Sequence, residues 1–142
     1  MNTTAEKFGY PGSLVAELDR WAVLVRPAQV TLGSLVLVCR DAVSRFGEIS
    51  REAGAELVEA TSRIEAVLSD AFAYDKINYL MLMMVDPDVH FHVIPRYESE
   101  REYSGVAFRD AAWPGPPDIT SRHDVPDDVL AALTADLKAR FG

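Results

Sequence analysis

The chain has 142 residues, enough for one domain with a sizeable core, and its 22 Asp and Glu against 14 Lys and Arg give a net charge of −8. That balance argues against a nucleic-acid polymer as partner, which would need a basic face, but leaves room for a small phosphorylated ligand served by one or two local arginines. The lone Cys39 rules out an intrachain disulfide and a cysteine-based zinc site. With no leader-like N-terminus and no apolar run longer than Leu80 to Val85, the expectation is a cytoplasmic protein that does not engage a membrane.

Trp21 to Val25 is a β-rich apolar segment closed by Arg26-Pro27, and Gly33 leads into a second strand, Ser34 to Cys39, with which it should pair. Cys39 reads as a buried thiol. Asp41 to Ile49 has room for a short helical turn. Ser50 is a helix N-cap and Glu52 suits the first turn; Leu57, Ala60, Ile64, Leu68 and Phe72 then recur at helical spacing over about five turns. Ile77 to Met84 and Val89 to Pro95 read as two more strands, joined through Asp86-Pro87-Asp88. The first is apolar on both faces and is expected to be central in the sheet. Residues 98–125 form a polar arm containing Trp113-Pro114-Gly115-Pro116-Pro117. Pro126 opens a last helix, with Val129, Leu130, Leu133, Leu137 and Phe141 on one stripe. The order predicts an α+β fold: an antiparallel sheet of about five strands, with one long and one C-terminal helix packed on one side. Residues 1–142 are expected to form a single domain with its core over 20–97 and an arm and helix over 98–142.

The candidate chemistry lies in Asp88-Val89-His90-Phe91-His92-Val93. Strand alternation puts Asp88, His90 and His92 on one face and the apolar residues on the other. Such a pair of histidines has three readings: two surface imidazoles, a metal site completed by Asp86 or Asp88, or nucleophilic catalysis at phosphorus. In the third, one imidazole attacks and the other holds phosphate oxygens or donates a proton. Only His123 remains as a further histidine, so the metal reading has few ligands and no metal is expected. Arg96 has the geometry for phosphate, or pairs with a neighbouring acid such as Glu98. Trp113 is free to cover a base, pack at a dimer interface or pack in its loop. His123 reads as a solvated loop residue.

His90-Phe91-His92-Val93-Ile94-Pro95-Arg96, preceded by Asp75-Lys76-Ile77-Asn78 and followed by Asp110-Ala111-Ala112-Trp113-Pro114, resembles the histidine triad (HIT) superfamily. It looks most like a bacterial HIT-like branch, similar to diadenosine polyphosphate hydrolases. The resemblance implies a nucleotide hydrolase or transferase that cleaves an α-phosphate linkage of a dinucleoside polyphosphate or nucleoside phosphoramidate, with no cofactor. His90 stands at the nucleophile position and His92 at the third triad position. Asn78 matches a family asparagine near the phosphate. Asp88 replaces the first triad histidine, Ser34 follows Gly33 where a histidine is often found, and Met83-Met84-Val85 replaces a stretch of hydrogen-bond donors. Asn78, Asp88, Arg96, Ser34 and Trp113 are thus the expected substrate-binding residues. The resemblance implies a homodimer binding a small nucleotide. The departures leave a second reading, a catalytically weakened nucleotide-binding or regulatory module.

Overall fold

The computed structural model describes residues 1–142. A short helix α1 (Thr3–Lys7) precedes strands β1 (Leu14–Glu17), β2 (Trp21–Val25) and β3 (Leu35–Cys39). A 3-10 turn at Phe46–Glu48 leads to the long helix α2 (Arg51–Phe72), then β4 (Lys76–Leu80) and β5 (His90–Arg96). A small hairpin, β6 (Arg101–Tyr103) and β7 (Val106–Phe108), and helix α3 (Asp127–Phe141) complete the chain.

The main sheet is antiparallel in the order β1-β2-β3-β5-β4. Opposed residues share a face, so Val38 opposite His90 and Val36 opposite His92 place both imidazoles on one side. Phe91, Val93, Leu35, Leu37, Val23 and Trp21 lie on the other, where α2 buries Ala53, Ala60, Ile64 and Leu68. Two hydrogen bonds fix α2 to that face: Trp21 Nε1 donates to the Ala53 carbonyl at 2.8 Å, and the Trp21 amide donates to Glu56 at 3.1 Å. The Ser50 hydroxyl caps α2 by accepting from the Ala53 amide at 3.0 Å. Leu133, Leu137 and Phe141 of α3 join the same core.

Three expectations need correction. The expected strand over Ile77 to Met84 ends at Leu80 and forms an edge of the sheet rather than its centre. Past its end, Met83 adopts a left-handed φ of 43°, which a continued strand would not allow, and Met84 and Val85 are 86% and 80% exposed. The two expected helices, α2 and α3, join one core, but a third, α1, was not expected and packs on the histidine face, with Ala5 against Leu24, Val36 and Val38. Finally, β1 and the β6–β7 hairpin were not anticipated; their segments are too short for a periodicity to stand out.

Candidate active site

His90 opens β5, and its ring orientation is set by the residue two positions earlier. Nδ1 lies 2.6 Å from the Asp88 carbonyl oxygen. A carbonyl only accepts, so Nδ1 carries a proton, and in the neutral ring the lone pair is on Nε2. His92 is held the opposite way. The Arg26 guanidinium, which can only donate, gives its Nε–H to His92 Nδ1 at 3.4 Å, so the neutral ring keeps its proton on Nε2. The rings stand edge to face, 5.1 Å between centroids. One imidazole offers a lone pair and its neighbour offers an N–H donor. That pairing suits attack on an electrophile whose oxygens are held alongside.

Charge reinforces the arrangement. Burial, then the Arg26 cation, then His90 push the His92 pKa down to about 4, so His92 is neutral at pH 7. Arg26 is itself buried, and its pKa is lowered by that burial and by nearby Arg122. It meets no carboxylate; beyond His92 it donates to the Ala28 carbonyl at 2.6 Å and the Ile119 carbonyl at 3.3 Å. Buried Gln29 shapes the turn behind it, donating to the Arg26 and Ser34 carbonyls at 2.7 and 2.8 Å and accepting from Gly33 and Ser34 amides. Residues 26–34 are therefore a rigid support for the cation beside His92.

The Asp88 carboxylate is engaged by the N-terminal segment that covers the histidine face. Its Oδ2 accepts from the Thr4 hydroxyl at 2.8 Å and the Thr4 amide at 3.3 Å. A carboxylate about 4 Å from a phosphate oxygen would cost roughly 4 kcal/mol at an effective dielectric near 20, and these two donors offset part of its charge. Asp88 contributes its carbonyl to the site and its side chain to the N-terminal segment.

The other expected residues divide. Ser34 is fully buried, and its hydroxyl donates to the Thr31 carbonyl at 2.8 Å, so it serves the turn and is not turned toward the imidazoles. Arg96 shares the histidine face but is 4% exposed and spent internally. It forms a two-pronged pair with Asp110, not Glu98, at 2.6 and 3.1 Å, and donates to Asn78 Oδ1 at 2.8 Å and the Gly115 carbonyl at 2.9 Å. Asn78 and Trp113 line a separate cleft of about 490 Å³ with Lys76 and Arg96, two residue pairs along the strands from His92. His123 is structural rather than solvated: its Nε2 accepts from the Arg109 amide at 3.0 Å and its Nδ1 donates to the Gln29 carbonyl at 3.2 Å. No group of three His, Cys, Asp or Glu side chains is arranged to hold a metal ion.

Three residues of this site escaped the sequence reading: Arg26, which reads only as the end of a strand, and Thr4 and Phe8, which carry no motif. The Phe8 ring lies 5.9 Å from His90 and 5.6 Å from His92, covering both.

A model of the HIT domain matches residues 10–99, most of the chain. The chain belongs to the HIT family. Solved structures of HIT proteins are similar, some over nearly the whole chain. A histidine triad protein from Sinorhizobium meliloti 1021 is 22% identical with a TM-score of 0.76, over 99% of this chain and 95% of that one. One from Marinobacter aquaeolei VT8 is 23% identical with a TM-score of 0.73, over 96% and 93%. The diadenosine triphosphate hydrolase of Plasmodium falciparum is 12% identical with a TM-score of 0.58, over 63% of this chain and 64% of that one. At these identities the likeness establishes the HIT fold alone. No curated protein matches the chain.

Proposed function

We propose that the protein is a nucleotide hydrolase or nucleotidyltransferase in which His90 Nε2 attacks the α-phosphorus of a dinucleoside polyphosphate or nucleoside phosphoramidate. The observation that carries this reading is the His90 Nδ1 contact with the Asp88 carbonyl at 2.6 Å, which in the neutral ring puts the lone pair on Nε2, beside His92. Attack forms a P–N bond and expels the rest of the substrate. Water then attacks the same phosphorus, breaks the P–N bond and restores His90, releasing a nucleoside monophosphate. The His92 Nε2–H steadies a phosphate oxygen throughout. Of the two substrate classes, the polyphosphate fits better. Neutral His92 is a weak acid, and a polyphosphate leaves as a stable anion, whereas an amine must be protonated to leave.

Asn78 and Trp113 are read as contacts to a more distant part of the ligand in their shared cleft, and Arg96 as the residue that positions Asn78. A homodimer is supported by the unpaired edge of β4 and by exposed Leu82, Met84 and Val85 beyond it, apolar surface that favours cover. A cytoplasmic setting fits the free, buried Cys39.

Intact-mass spectrometry after mixing with diadenosine polyphosphates and with adenosine phosphoramidate tests the proposal. A nucleotidyl adduct and AMP are expected, both lost in His90→Ala. No AMP from any substrate, or undiminished AMP from His90→Ala, overturns it. A second reading, a nucleotide-binding module with weakened chemistry, draws on an aspartate, committed to Thr4, at the first triad position and on Met83-Met84-Val85 in place of donors. It predicts thermal stabilisation by AMP without turnover.

A further inference from the structure

The histidine face is roofed by the chain's own first residues. Asn2 accepts from the Ala5 amide at 3.0 Å, starting α1, while its Nδ2 donates to the Cys39 carbonyl at 2.9 Å. Thr4, 1% exposed, gives both its hydroxyl and its amide to Asp88, and Lys7 pairs with Asp86 at 2.8 Å. Ala5 is fully buried against Leu24, Val36 and Val38, with Phe8 beside it over both imidazoles. The result is that His90 is 1% and His92 6% exposed. Neither ring lines the cavities beside α3, within the arm at 109–123, or at Trp113.

A phosphorus atom must come within about 3–3.5 Å of Nε2 to react. With both rings buried and Phe8 laid over them, a ligand has no open approach while residues 2–8 stay in place. Apart from Ala5, packed on Leu24, Val36 and Val38, the segment is held by polar contacts and one short helix, with no place in the sheet ladder, which puts it among the elements able to open locally. Directly after Phe8, Gly9 has a φ of 93°, a conformation that favours glycine and a natural pivot.

We propose that residues 2–8 are an internal plug of the nucleotide site, latched through Thr4 to Asp88 and pivoting at Gly9, so that substrate enters only when the plug swings out. The inference rests on the reading of His90 and His92 as the nucleotide site, and it gives the aspartate at the first triad position a task. That side chain ties down the plug instead of touching phosphate. Substrate and plug compete for one face, so a nucleotide pays the opening free energy in apparent affinity.

The test is histidine accessibility in the full chain, read as the rate of diethylpyrocarbonate modification at His90 and His92 by peptide mass spectrometry. Wild type should react slowly. Thr4→Val, which removes the hydroxyl donor, should react about tenfold faster, and Thr4→Ser, which keeps it, should stay near wild type. Wild-type imidazoles that react as fast as those of a free histidine peptide overturn the plug, and a Thr4→Val rate within twofold of wild type overturns the latch. Hydrogen exchange of unaltered protein supplies a reading that needs no variant. The amides of Glu6, Phe8, Gly9 and Tyr10, all bonded within the segment, should exchange well before those of β3 and β5. If they exchange only together with the strands, residues 2–8 are a fixed part of the fold and the proposal fails. Reactive histidines in Thr4→Val without AMP formation from any nucleotide would instead sink the hydrolase reading and leave the plug standing.

Discussion

His92 ties the site to the stability of the whole fold through pH. In the unfolded chain its pKa is ordinary, about 6.5; in the fold, burial and Arg26 hold it at about 4. As pH falls through 6.5 the unfolded state takes up a proton that the folded state refuses, so stability is complete above 6.5 and drains away toward pH 4. Below about 4 both states are protonated and the loss stops. Between pH 7 and pH 5 this one group costs about 1.8 kcal/mol, one proton being worth about 1.4 kcal/mol per pH unit where only the unfolded chain binds it. Urea unfolding of wild type and His92→Gln at pH 7, 6 and 5 measures the effect, the variant subtracting what the carboxylates contribute. Long-range ¹⁵N spectra should show His92 neutral at pH 5 with its proton on Nε2. Arg26→Gln should raise the pKa only part of the way to 6.5, because burial is the larger cause. Parallel stability curves for wild type and His92→Gln, or a His92 titration near 6.5, would refute the account of how this imidazole is held.

Asp110→Ala leaves Arg96 buried without its counter-charge; the expected loss is about 3–5 kcal/mol, seen as a Tm lower by about 10 °C. Gly33→Ala should cost about 2 kcal/mol or more in urea unfolding. Gly33 has a φ of 84°, and an added Cβ would sit 2.9 Å from the buried Phe72 ring. Ser50→Ala removes the α2 N-cap and should cost about 1 kcal/mol while leaving histidine reactivity unchanged, since α2 lies on the opposite face of the sheet from the imidazoles.

What the sequence revealed follows from how local each signal is. The α2 stripe from Leu57 to Phe72, its Ser50 cap and the strand alternation at Phe91 and Val93 are written in neighbouring residues, and they place His90 and His92 on one face without further help. The exposed run Leu82-Met84-Val85 misled because apolar composition does not distinguish a covered strand from an apolar edge segment. For Asp88, alternation gave a face but not a partner: its carboxylate is taken by Thr4, from the N-terminal segment laid over that face.

The sequence by itself determined that a sheet strand presents two imidazoles on an apolar scaffold, and its motif is that of the HIT family. Tertiary structure decided which nitrogen of each neutral ring carries the proton, because the groups that assign it, the Asp88 carbonyl and the Arg26 guanidinium, act through distance and direction. It also decided their access. Thr4 and Phe8 are 84 and 82 residues from the side chains they meet at Asp88 and His90, and no pattern along the chain records a contact made across that separation.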